Sequence, residues 1–294
     1  MTSDPTSDPA RDLLIRPVDL ARLRDERGAA VVVLDVRWRL DRPGAGPADF
    51  AEAHLPGAIF VALDTELAAH GAPSEGRHPL PAVADLQESA RVWGIDADST
   101  VVVYDDSANM ASARAWWLLR YAGVADVRLL DGALAGWREA GLPLETGPGH
   151  PPLRSGSVVL EYGHLPVLDA DGAADVASSG TLVDSRAGER YRGEVEPIDP
   201  KAGHVPGAVS VPTGGNVDAD GRFLAPEALR ARFETAGITR DAPLGVYCGS
   251  GVTAAHNAVA MTLAGFEPAV FPGSWSAWSN SDRPVATGAS PEGD

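Results

Sequence analysis

Residues 244–261 read LGVYCGSGVTAAHNAVAM and divide into three parts. "LGVYC" is an apolar run of strand type, "CGSGVT" is a glycine-rich turn, and "TAAHNAVAMTLAG" has helical composition ending at Gly265. A strand, a tight turn and a helix place Cys248 at the C-terminal end of a strand, the edge where open α/β sheets hold ligands. Cys248 is also the sole cysteine among 294 residues. A cysteine kept only for packing needs neither the flanking glycines nor the helix start.

The rest of the chain repeats this unit. "VVVLDVRWR" (31–39) matches "TLVDSRAGER" (181–190), two apolar runs that end in Asp-x-Arg. "AHLPGAIFV" (53–61) matches "GHVPGAVSV" (203–211), and "VVVYDDSANMASARAWWLL" (101–119) matches "LGVYCGSGVTAAHNAVAMT" (244–262). "LLDGALAGW" (129–137) matches "VFPGSWSAW" (270–278). Four matches in one order, at offsets of about 140–150 residues, describe a duplicated domain. The Pro/Gly-rich stretch "LETGPGHPPLRSG" (144–156) joins the copies. The expected boundaries are a disordered tail over 1–12, a first domain over 13–147, a linker over 148–163 and a second domain over 164–294. The first copy is longer by several residues around "HGAPSEGRHPLP" (70–81), an insertion expected to reach a cleft.

Short apolar runs without alternation ("VVVLDV", "VVVYD", "VRLLD") suit strands covered on both faces. They alternate with helical segments such as "PAVADLQESARVWG" and "SARAWWLLRYAG". The expected fold class is α/β: two tandem duplicated domains, each a parallel sheet flanked by helices.

Composition narrows the function classes. A net charge of −17 argues against nucleic acid or an anionic membrane as partner, and requires a site for an anion to gather positive charge locally. No run approaches 18 apolar residues, and the N-terminus lacks the charge and apolar core of a secretory signal, so no membrane span is expected. One cysteine leaves no intramolecular disulfide, which fits a reducing compartment and a cytoplasmic location.

Unpaired amides at the first turn of the helix after Cys248 favour negative charge, the setting in which a thiol reacts as thiolate. Gly249 and Gly251 let successive N–H groups turn inward toward one anion. In the first copy the ungapped partner of Cys248 is Asp105, and Asp106 and Ala108 replace the glycines, so that copy is expected to be chemically silent. A tyrosine-phosphatase loop needs an Arg six residues after the cysteine, where Ala254 stands. A cysteine hydrolase needs an adjacent His base, and His256 lies two turns into the helix. A thiol that accepts and passes on sulfur remains, because a persulfide anion suits a ring of amides without a base. No His/Cys cluster or phosphate-binding glycine fingerprint appears, so no cofactor is expected beyond a covalent persulfide on Cys248.

The twin Asp-x-Arg strands, the twin His-x-Pro-Gly-Ala turns, the Gly-x-x-x-x-Trp endings and the cysteine loop together resemble the two-domain rhodanese sulfurtransferases, over about residues 13–288. "CGSGVTA" (248–254) resembles the loop of the 3-mercaptopyruvate branch. The thiosulfate branch carries basic residues directly after the cysteine, where Gly249 and Ser250 stand here. The resemblance implies Arg190 as carboxylate ligand, with Arg186 near it, Gly249, Gly251, Val252 and Thr253 as loop amides, and a Ser250–His78–Asp64 relay. A second family Arg falls at Asp199, with Lys201 or Arg192 as the candidate substitute. Arg186 reads equally as half of a strand-end salt bridge, and Asp64 as a helix N-cap. The implied partners are a small anionic sulfur donor and an acceptor thiol, cyanide or thioredoxin-like protein. The alternatives are a thiosulfate sulfurtransferase on the same cysteine, or a non-enzymatic sulfur carrier or binding module.

Overall fold

The computed structural model describes residues 13–42 and 44–294, and the expected tail over 1–12 lies outside them. The described chain divides into two compact units. The first holds a parallel sheet in the order β1 (Leu14–Ile15), β5 (Asp126–Leu130), β4 (Thr100–Tyr104), β2 (Val31–Asp35) and β3 (Ile59–Phe60). The second holds β7 (Val209–Ser210), β6 (Thr181–Asp184), β8 (Leu244–Tyr247) and β9 (Ala269–Val270), all parallel. The place that β1 takes beside β5 is reduced to a single bridge, Val167 to Val270. Every residue of β2, β4 and β8 is buried, which is why these runs show no polar alternation.

The units are not cut where the two sequence copies meet. Residues 68–80 of the first copy group with the second unit, and residues 217–223 of the second copy group with the first. The stretch 148–163, expected as a linker, belongs to the first unit.

One buried triplet recurs in each unit. Asp184, at the end of β6, is fully buried and accepts from Arg186 Nε (3.0 and 3.1 Å) and Nη2 (2.6 Å). Its register partner on β8 is Tyr247, which is hydrogen-bonded to it. The Tyr247 hydroxyl also accepts from Val205 N at 3.1 Å, tying the His204-Val205-Pro206 turn to the sheet. In the first unit Asp35, Arg37 and Tyr104 repeat the pattern, with Leu55 N donating to Tyr104 at 3.0 Å. Burial, then the facing carboxylate, holds both phenols well above their usual range, so each stays protonated and can donate.

The paired histidines belong to this architecture. His54 stacks on Phe50 at 3.9 Å and His204 on Tyr191 at 3.7 Å, each bonding a backbone carbonyl through Nδ1. Trp137 and Trp278 close the two cores, donating to Pro143 O and Pro284 O at 2.8 Å. Among the described residues no helix is long and apolar enough to cross a membrane.

Tyr247→Phe leaves a buried N–H and a carboxylate lone pair without their partner. It is expected to lower stability by about 1–3 kcal/mol, read as a shift of the urea midpoint. An unchanged midpoint would show that the hydroxyl does not hold the turn.

Candidate active site around Cys248

The cysteine loop is held from below by residues 271–276. Phe271 N donates to Val246 O, Trp275 N to Cys248 O and Ser276 N to Gly249 O, each at 2.9 Å. With those carbonyls committed, the loop's N–H groups are left for the opposite side. Cys248 N itself donates to Ser274 Oγ at 3.1 Å. Gly251 N lies 3.1 Å from Cys248 Sγ, and the sulfur is almost sealed, with the residue 1% exposed. Gly251 has φ +78°, a left-handed conformation that a Cβ would disfavour. Val252 caps the helix Thr253–Leu263.

The first copy shows what this loop can hold. Asp105 follows β4 as Cys248 follows β8, and Leu134 N donates to Asp105 O at 3.0 Å just as Trp275 N does to Cys248 O. The Asp105 carboxylate accepts from the amides of Ser107, Asn109 and Ala111 at 2.8 Å and of Ser112 at 3.0 Å. Burial pushes this carboxyl up, and the four amides pull against it. Ala108, at the position of Gly251, keeps the left-handed turn at φ +57°. The first copy's loop is an anion cradle filled by its own side chain.

Residues 68–80 bring His78 to the second unit's loop. His78 Nδ1 and Ser250 Oγ share a hydrogen bond of 2.8 Å, and both residues are buried. Asp64, expected as the third member of a relay, lies in the first unit within the helix Leu63–Glu66. The N-cap of that helix is Ala62, so Asp64 is not its cap. His256 is buried and bonds Thr213 Oγ1 at 2.8 Å, an internal contact of its helix with residues 213–216.

The cations are arranged differently from the sequence-based expectation. Arg186 is 4% exposed, pairs with Asp184 and stacks over Trp275 at 4.5 Å. Burial opposes its charge, and Asp184 and Glu196 more than restore it. Its charge is committed to a buried structural ion pair. Lys201 Nζ donates one hydrogen bond, to Ser281 O. Arg190 faces the loop, but its Nε and Nη2 edge is already bonded to Glu196, with Nη2 at 2.6 and 2.9 Å. Nη1 is the Arg190 nitrogen nearest the loop: a Cβ on Gly249 would lie 3.3 Å from it, 3.9 Å from Arg190 Nη2 and 3.2 Å from Arg77 Nη2.

Arg77 and Glu196 were not singled out by the sequence reading. Arg77 pairs with Asp199 through Nη1, and Asp199 also accepts from Arg190 Nη2 at 3.3 Å. Burial pushes the Asp199 carboxyl up, with Arg77 pulling it down. An acid at 199 was the available signal, because a buried carboxylate at that place requires cations around it.

An α/β unit built twice, with one loop filled by a carboxylate and the other by a cysteine, defines a duplicated rhodanese-like architecture. The chain belongs to that family: residues 17–140 and 169–281 both match the rhodanese-like domain. A Mycobacterium tuberculosis protein named "Putative thiosulfate sulfurtransferase SseB" is 48% identical, over 94% of this chain and 97% of its own. A Pseudomonas aeruginosa protein named "Probable 3-mercaptopyruvate sulfurtransferase" is 46% identical, over 88% and 93%. The crystal structure of SseA, a 3-mercaptopyruvate sulfurtransferase from Escherichia coli, superposes with a TM-score of 0.77 at 29% identity, covering 89% of this chain and 98% of that one.

Asp105→Ala strips the anion from four buried amides and is expected to cost about 3 kcal/mol, with Asp105→Asn milder because one carbonyl oxygen remains. Urea midpoints of the two variants check this. A change within about 0.5 kcal/mol for Asp105→Ala would remove the cradle interpretation.

Proposed function

We propose that the protein is a sulfurtransferase that takes sulfur from 3-mercaptopyruvate and carries it as a persulfide on Cys248. The observation that carries this reading is the pair of loops. The same backbone turn that wraps four amides around the Asp105 carboxylate puts an amide 3.1 Å from Cys248 Sγ. A cradle for an anionic head group at that position suits the outer sulfur of a persulfide. Enzyme action is the common feature of the names its relatives carry.

In the proposed cycle the Cys248 thiolate attacks the sulfur of 3-mercaptopyruvate. The S–S bond forms as the C–S bond breaks, and the electron pair leaves on carbon as the enolate of pyruvate. The enolate takes a proton delivered through the Ser250–His78 pair. An acceptor thiol, or cyanide, then attacks the outer sulfur and restores the thiolate. A thioredoxin-like protein is one acceptor of the required thiol chemistry. The cycle asks for no group beyond the sulfur of Cys248, and a cytoplasmic setting fits a lone reactive thiol.

Thiosulfate is the second donor to weigh, because the Mycobacterium relative's name includes it. Its double charge fits the site less well. Gly249 and Ser250 bring no cation, and the guanidinium groups of Arg77, Arg186 and Arg190 are matched in number by the carboxylates of Asp184, Glu196 and Asp199.

Intact-mass measurement after incubation with 3-mercaptopyruvate is expected to show one added sulfur, absent in Cys248→Ser. Addition from thiosulfate alone would overturn the donor, and addition from neither would overturn the enzyme. His78→Gln and Ser250→Ala are expected to lower kcat for pyruvate formation by about 10²-fold. Pyruvate release at the parental rate would sink the proton-delivery role.

A further inference from the structure

We infer that Arg77, positioned by Asp199, is the residue that grips the carboxylate of the sulfur donor, while Arg190 offers a single N–H beside it. This rests on the persulfide cycle proposed above.

A guanidinium binds a carboxylate best through two parallel N–H groups on one edge. In Arg190 the Nε–Nη2 edge is filled by Glu196, whose side chain is 3% exposed. In Arg186 the same edge is filled by Asp184. Arg77 is arranged the other way round. Its Nη1 is taken by Asp199, and its Nε is buried without a hydrogen-bond partner among the described residues. Nη2, on the same edge as Nε, is the nitrogen that comes closest to Gly249, next to the reactive cysteine. A buried donor with no acceptor is unfavourable, and an incoming carboxylate would satisfy it.

The surroundings fit an anion that must be oriented. Arg77 is anchored at its backbone, where its N–H donates to Ser276 Oγ at 3.0 Å, and Ser276 N holds Gly249 O. Its side chain is 27% exposed and lines a cleft of about 470 Å³ with Asp199, Pro200, Ser276 and Asn280. Gly249 is required by this approach: a Cβ there would stand 3.2–3.3 Å from nitrogens of both guanidinium groups. Asp199 is 3% exposed and bridges Arg77 and Arg190, so it sets the spacing of the two cations without meeting the donor.

The test compares 3-mercaptopyruvate turnover with persulfide loading from inorganic polysulfide, which has no carboxylate. Arg77→Ala is expected to raise KM for 3-mercaptopyruvate about 10- to 100-fold, with a much smaller change in kcat. Arg77→Lys recovers little of this, since an ammonium has no fork. Asp199→Asn is expected to raise KM about 3- to 10-fold, and the double variant to be no worse than Arg77→Ala alone. A KM within about twofold of the parent in Arg77→Ala would overturn the clamp, and additive losses, or a lower KM in Asp199→Asn, would overturn the positioning role. Polysulfide separates the readings: if Cys248 of the parent protein gains no sulfur from either donor, the persulfide cycle itself fails. Should Arg77→Ala take no sulfur from polysulfide, the variant is misfolded, and Arg77→Lys decides alone, an unchanged KM counting against the clamp.

Discussion

The position of the Cys248 sulfur depends on a buried ion pair that bonds Tyr247, the residue before it in the chain. Asp184 and Tyr247 are register partners at the ends of neighbouring strands, and Arg186 closes the carboxylate from the third side. Charges this deeply buried are tolerated only while the pair is intact, and removing one partner leaves an uncompensated charge costing about 3–5 kcal/mol. The net stabilisation from such a pair is small, because desolvation consumes most of the attraction. Its effect is on register. Sliding β8 by one residue would take Tyr247 from Asp184 and exchange the side chains packed on its two covered faces. With the register fixed, β8 ends at Tyr247 and the loop begins at Cys248. The same triplet, Asp35, Arg37 and Tyr104, fixes where Asp105 begins its loop.

From that shared starting point the two loops diverge by side chain more than by backbone. Ala108 and Gly251 both adopt the left-handed turn, and Ala133 and Ser274 repeat it in the supporting turns at φ +52° and +53°. For a residue with a Cβ this costs about 1–2 kcal/mol. The first copy offsets the strain with four hydrogen bonds to its own carboxylate. The second copy has no such internal anion. Gly251 relieves the strain there, and the amides remain available to the thiol and whatever the thiol carries. The two copies share one loop fold, and what differs is the side chain at its start: a carboxylate held by its own amides in the first, a thiol in the second.

The duplication, the strands and the cysteine loop were legible because each rests on local signals: continuous apolar runs, Asp-x-Arg strand ends, glycine at a positive φ. His78 was implied by the family resemblance, and the structure hydrogen-bonds it to Ser250. What the sequence hid was the allocation of charge. Arg186 and Arg190 read as carboxylate ligands, yet Asp184 and Glu196 fill their binding edges. Nothing in a linear pattern shows which of several nearby acids a guanidinium will choose, since pairing is decided by burial and approach in three dimensions. The exchange of residues 68–80 and 217–223 between units was equally hidden. It makes Arg77 part of the cysteine's own unit although it lies more than 160 positions away in the chain.

The charge balance at the site bears on how an acidic protein can treat an anion at all. With a net charge of −17 the chain as a whole repels such a donor. A surplus of cations at the site would be the simple remedy, but three guanidinium groups here face three carboxylates. A balanced cluster exerts little pull beyond the Debye length of about 8 Å at physiological salt, so it does not steer anions from solution. What it can do is hold guanidinium edges rigidly at short range, each carboxylate acting as a brace for the cation beside it. Selection then falls to shape and hydrogen-bond direction at one unfilled edge, and a donor is distinguished by the geometry of its acid group more than by the size of its charge.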